Sequence, residues 1–164
     1  MPGSLFVFCN LNMREFLRKR WISVKFKFEN GNQEIELKVK GYEAVIPTKS
    51  YWDNNWLLLS CKSAKDGKSM CGEFPCFLTI ELQRLKMLLE QFRSGALSSI
   101  SWNGTEPNFV LNINQNYFLT IYFCDEKDCE ITFQKYATAE DVEGLIRFCL
   151  DSLRHYPVRD LGIK

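Results

Sequence analysis

Chemistry, if this chain performs any, must draw on its single histidine, its seven cysteines or a short acidic run between two strands. His155 falls near the end of the last predicted helix, and no serine or cysteine lies at a spacing that would make it the base of a nucleophilic triad. A cation there is favoured by the helix dipole by about 0.3–1 kcal/mol, which is a structural role. Cys71 and Cys76 are separated by four residues, as are Cys124 and Cys129, without the two-residue pairs and accompanying histidines of a zinc site. Cys124 and Cys129 flank a four-residue loop and are the pair expected to face each other across a hairpin and to crosslink on oxidation. The nine glycines form no phosphate-cradling loop. Asn103-Gly104-Thr105 reads as a turn.

The acidic run comprises Asp125, Glu126, Asp128 and Glu130. Nothing apolar accompanies it to raise a carboxyl pKa, so it reads as a solvated hairpin tip. If such a cluster has a role, it suits meeting a basic partner better than catalysis. Between Tyr51 and Trp56 two tryptophans flank a polar turn. Trp56 opens an apolar strand and is expected in the core, whereas Trp52 lies in the turn and is expected at the surface.

These residues need a frame, and the periodicity supplies one. Ile22, Val24, Phe26 and Phe28 alternate with polar positions, Asn30-Gly31 offers a tight hairpin, and Ile35, Leu37 and Val39 alternate on the way back. Trp56 to Cys61 forms a third strand, and Asp66-Gly67 turns the chain into a fourth that reaches Phe77. Thr79 is expected to cap a helix with Leu82, Leu85, Leu88, Leu89 and Phe92 on one face, stopped by Gly95. Four more strands follow, at Ile100 to Trp102, Phe109 to Ile113, Phe118 to Phe123 and Ile131 to Phe133. Thr138 with Asp141 forms a capping-box variant that opens a closing helix whose apolar stripe runs from Val142 to Leu153. The expected fold is α+β, a mostly antiparallel curved sheet of about eight strands with two helices on one face, in the order ββββαββββα.

At 164 residues the chain suits one domain with one core. The net charge of +1 argues against a global electrostatic grip on nucleic acid or an anionic membrane. Arg14, Arg18, Lys19 and Arg20 against Glu15 give the first twenty residues a local charge of +3 and leave −2 on the rest. Residues 1–20 are expected to be a loosely ordered extension, with Met13 as a candidate natural start, and 21–164 to be the domain. The odd cysteine count points to reduced thiols in a cytoplasmic protein. Leu5-Phe6-Val7-Phe8 is too short, and lacks the preceding basic residue, for a signal peptide or spanning helix.

Four separated pieces carry a resemblance: Asn55-Trp56-Leu57, Pro75-Cys76-Phe77-Leu78-Thr79-Ile80-Glu81-Leu82, Glu106-Pro107-Asn108-Phe109 and Tyr156-Pro157-Val158-Arg159. In order and spacing, over about residues 33–159, the chain resembles the WapI-like immunity proteins. The resemblance implies a small bacterial cytoplasmic protein that binds and blocks the toxic C-terminal domain of a contact-dependent toxin, often a nuclease. It implies inhibition by occlusion of a protein partner, with no catalysis required; residue spacing and charge give the expectation of no metal, no cofactor, no nucleic acid and no membrane. On that reading Pro75 and Pro107 restrict the backbone, Thr79 caps, Leu82 packs and Arg159 answers a helix end or carboxylate. The basic extension and the near-neutral charge depart from the acidic character expected of a nuclease blocker. For a basic target, the expected contact surface is Asp125, Glu126, Asp128, Glu130 and Glu106 as a polar rim, with Trp102 and Trp52 as aromatic anchors. A non-catalytic scaffold with no toxin partner, or an enzyme using Asp/Glu and a reactive cysteine, are the alternatives that the residues leave open.

Overall fold

The computed structural model describes residues 22–28, 31–127 and 129–159. The expected N-terminal extension and its candidate start lie outside the described residues, as does Asp128. Strands β1 (Ser23–Lys27), β2 (Gln33–Tyr42), β3 (Trp56–Lys65) and β4 (Lys68–Leu78) form one antiparallel sheet in sequence order. A short helix α1 (Tyr51–Asn55) precedes β3, and helix α2 (Thr79–Arg93) follows β4. Strands β5 (Ile100–Asn103), β6 (Phe109–Ile113), β7 (Phe118–Cys124) and β8 (Glu130–Tyr136) form a second sheet, again in sequence order, and helix α3 (Ala139–His155) follows.

The fold is therefore α+β as expected, but the single eight-stranded sheet is replaced by two sheets of four strands, and a third helix is present. The division falls at α2, which links β4 to β5 and contacts both strands. The helices do not share one face of one sheet: they pack on each other, and α3 also reaches β1.

Local chemistry explains most boundaries. Asp66 and Gly67 both take positive φ, 49° and 77°, as a two-residue hairpin turn of matching twist requires. Leu57 pairs with Phe77 but Leu58 with Pro75, so Cys76 is the extra residue of a bulge. Proline, which has no N–H to give the ladder, is tolerated there on an edge strand. Thr79 is not the cap of α2 but its first residue. The Leu78 amide is satisfied by Glu81 Oε2 at 2.8 Å, which frees the Thr79 hydroxyl to donate to the Asn55 carbonyl at 3.1 Å. At the other end Gly95, with φ +80°, donates to Phe92 O while Ala96 donates to Gln91 O, the paired bonds of a Schellman stop. Helix α3 opens with the expected box: Asp141 N donates to Thr138 Oγ1 at 3.2 Å and Thr138 N to Asp141 Oδ2 at 2.8 Å.

One core joins both sheets and both long helices. Phe26 and Phe133 bring the inner faces together, ring centroids 6.2 Å apart, and Phe77, Trp102 and Phe109 make a three-ring contact at 5.6–5.9 Å between β4, β5 and β6. Gly104 is not a turn glycine. A Cβ there would lie 2.7 Å from the Cys76 carbonyl oxygen, so its missing side chain is what lets the β5–β6 loop rest on β4.

Candidate functional site

Three of the four motif segments meet around one buried amide. Asn55, at the end of α1, donates from Nδ2 to Tyr51 O at 2.8 Å and to Arg159 O at 2.9 Å, and its Oδ1 accepts from Arg159 N at 2.7 Å. Its carbonyl takes the Thr79 hydroxyl, so a single asparagine ties the head of β3, the start of α2 and the last described residue. Among the described residues, the Arg159 guanidinium is matched by a ring and a backbone carbonyl in place of the expected helix end or carboxylate. Its guanidinium lies 3.4 Å from the centre of the Tyr42 ring and donates to Ala44 O at 2.9 Å. The Tyr42 hydroxyl donates to the Pro157 carbonyl, and Tyr156 stands edge-on to the Tyr42 ring and donates to Lys40 O at 3.2 Å. Burial raises the Tyr42 phenol above its ordinary range, more than the neighbouring Arg159 lowers it. The fourth segment works elsewhere: Asn108 Nδ2 donates to Cys124 O at 3.2 Å and Cys124 N to Asn108 O at 2.9 Å, clamping the loop before β6 to the end of β7. These residues hold the frame together and present little to a partner.

The acidic residues gather at that same end of the second sheet, where the β5–β6 and β7–β8 loops lie side by side. Glu106, Glu126 and Glu130 are exposed there. Asp125 differs. Its Oδ1 accepts from Lys127 N at 2.8 Å and Cys129 N at 2.9 Å, which builds the turn, and Oδ2 would touch a Cβ placed on Gly72 at 2.8 Å. It is a turn-former wedged against β4 more than a free carboxylate.

The two expected aromatic anchors separate. Trp52 is 61% exposed on α1, edge-on to Tyr51, in a loop that also exposes Val45 and Ile46. Trp102 is 3% exposed inside the three-ring contact, so it cannot serve as the expected aromatic anchor; alternation along β5 puts it on the same side as the buried Ile100. Trp56 is half-buried where full burial was expected. The loop carrying Val45 and Ile46, held by Thr48 N to Asn54 Oδ1 and Asn54 Nδ2 to Thr48 O, had no sequence signal beyond two aliphatic residues before a proline.

His155 and the three core cysteines are accounted for by packing, whereas Cys71 is exposed. His155 Nδ1 lies 2.8 Å from Asp151 O, one turn back on its own helix. Burial pushes the Cys61, Cys76 and Cys149 thiols far up, so they stay protonated in the core. Cys124 stands opposite Glu130 and not Cys129, and the one-residue offset turns the two thiols to different sides, against the expected crosslinking pair. Among the described residues, no three His, Cys, Asp or Glu side chains converge as a metal set, and no helix is long and apolar enough to cross a membrane. A cleft of about 530 Å³ opens between α2 and α3, walled by Phe92, Tyr117 and Val142 and bordered by the Arg93–Glu143 ion pair.

A family model described as the immunity protein WapI-like family matches residues 22–157. No curated protein and no solved structure matches the chain.

Proposed function

We propose that this chain, which belongs to the WapI-like immunity protein family, protects its cell by binding a cognate toxin's C-terminal domain and covering the surface that the toxin needs. Family membership over residues 22–157 carries this reading. The construction of the domain supports it: side chains that read as chemical in the sequence serve as caps, clamps and core. Inhibition by occlusion needs only a rigid, complementary surface, with about 800 Å² contributed by each partner in a standard interface.

The exposed carboxylates Glu106, Glu126 and Glu130, with Asp128 of the same loop, are the proposed electrostatic contribution. They would steer and orient a basic target more than supply bulk affinity. Asp125 supports their loop, and Trp52 is a separate exposed aromatic outside this cluster. The protein is proposed to act in the cytoplasm, without cofactor.

The test is co-expression with the toxin domain encoded beside this chain. The expected result is restored growth and a stable one-to-one complex on co-purification. A toxin domain that still kills and does not co-purify overturns the proposal. With a complex in hand, Glu126→Lys with Glu130→Lys should slow association and reduce its dependence on salt.

A further inference from the structure

The second sheet turns outward a face with a single charged side chain. Along β5–β8 the inward positions are apolar except for Lys135, and the outward ones align in rows: Asn103, Val110, Tyr122 and Thr132 in one, Ser101, Asn112, Thr120 and Gln134 in the next. Beyond them Phe118 and Tyr136 stack edge-to-face at 5.3 Å, with Tyr136 63% exposed. The only charge on the outward strand positions is Glu130, at the corner beside the acidic loops. Sheets that simply face water carry mixed charge, which keeps them soluble and discourages edge pairing. A surface stripped of Lys, Glu and Asp and supplied with tyrosine has instead the composition of an interface core.

Size decides how far the contact extends. Four strands about 4.8 Å apart and about five residues long at about 3.3 Å each cover about 300 Å² in projection. That falls well short of the about 800 Å² that one partner gives to a standard interface. A docked protein must therefore reach past the strands, and charge complementarity favours the end carrying Glu106, Glu126 and Glu130.

Resting on the immunity reading above, we infer that the toxin domain docks on the outer face of β5–β8. The surface it brings is poor in charge where it meets Thr120, Tyr122 and Tyr136, and carries lysine or arginine along the side that meets Glu106, Glu126 and Glu130.

The experiment uses the wild-type chain with the co-expressed toxin domain, and two single variants on this face, Thr120→Lys and Tyr136→Glu. Lys62→Glu on the first sheet is the control, and thermal melting verifies that each variant folds. The two face variants should each weaken binding about 30-fold or more, with the control unchanged. Side-chain oxidation of the wild-type complex should show Tyr122, Phe118 and Tyr136 protected relative to the free chain, a readout independent of any variant. If the wild-type complex forms but the face variants bind as tightly and those rings are not protected, this face is wrong and the immunity reading stands. If no complex forms, the immunity reading falls and this inference with it.

Discussion

On its outer side the β1–β4 sheet carries Lys25, Lys27, Lys38, Lys40 and Lys62 against Glu34, Glu36 and Glu73, whereas the outer side of β5–β8 carries Glu130 alone. Cross-strand ion pairs lace the first: Lys25–Glu36 and Lys27–Glu34 at 3.8 Å, Lys40–Glu73 at 3.4 Å. On the inner side the pattern reverses. Among the described residues of β1–β4 the buried inward positions hold aliphatic, aromatic, thiol and small side chains, and the inward-side Lys65 and Lys68 stay exposed beside the β3–β4 turn, while β8 sends Lys135 inward, 8% exposed, to meet Asp141 at 2.8 Å. Two antiparallel meanders of equal strand number thus place charge oppositely. Exposed pairs contribute little stability and much solubility, whereas a buried pair is costly to break, because its survivor is left charged without water. Charge here tracks what each surface meets: water on one sheet, a helix inside the other, and on the remaining face the proposed partner.

Removing the inward pair should have the largest effect. Asp141→Ala strands the Lys135 ammonium and opens the cap of α3, and should cost about 3–5 kcal/mol in denaturant unfolding. A loss under about 1 kcal/mol would show that Lys135 escapes to solvent and that the contrast between the sheets is shallow. The buried thiols give the next effect. Cys61 and Cys76 beneath the first sheet and Cys149 on α3 hold their protons in the folded state beyond the range where the unfolded chain loses them. Stability is therefore intact below about pH 8.5 and falls as pH rises above the unfolded thiol value, by about 3 kcal/mol in total between pH 9 and pH 10. Cys149→Ala should remove about a third of that slope, and an unchanged slope would place the titration elsewhere.

Gly104→Ala drives a methyl into the Cys76 carbonyl where the second sheet rests on β4, and should destabilise by about 1–3 kcal/mol. A neutral outcome would mean that the two sheets slide freely at this joint. Smallest should be the Lys40–Glu73 pair, whose coupling in a double-mutant cycle should be about 0.2–1 kcal/mol and vanish in concentrated salt. Coupling beyond that range would give the first sheet's outer charges a structural role that its exposed geometry does not suggest.

Period-two and period-3.6 patterns made all eight strands and both long helices legible, because burial selects one face of each element along its whole length. Asp66-Gly67 and Thr138 with Asp141 were legible for a different reason: their chemistry is local and few backbones suit it. The break between β4 and β5 was not, since it depends on where α2 comes to rest. Thr79 misled because two residues competed for one role, and Glu81 took it. Trp102 was misread despite its alternation with Ile100, which already put it inside. Glu106, Glu126 and Glu130 were readable as exposed loop charges. The inward Lys135 was not, because a lysine in an alternating strand gives no sign that a carboxylate awaits it in the first turn of the next helix. The neutral outer face was present in the spacing of Thr120, Tyr122, Thr132 and Gln134, but its meaning depends on a contrast with the other sheet that exists only in three dimensions.

Asn55 has a further consequence for how the molecule is made. Its amide is buried at 1% exposure and is matched by the backbone of a residue 104 positions later. Any nascent or truncated chain that stops short of residue 159 holds this polar group without its counterpart. Completion of the domain is thus coupled to emergence of the segment that reaches Arg159, and a shortened product would be left with a loosened seam open to proteolysis.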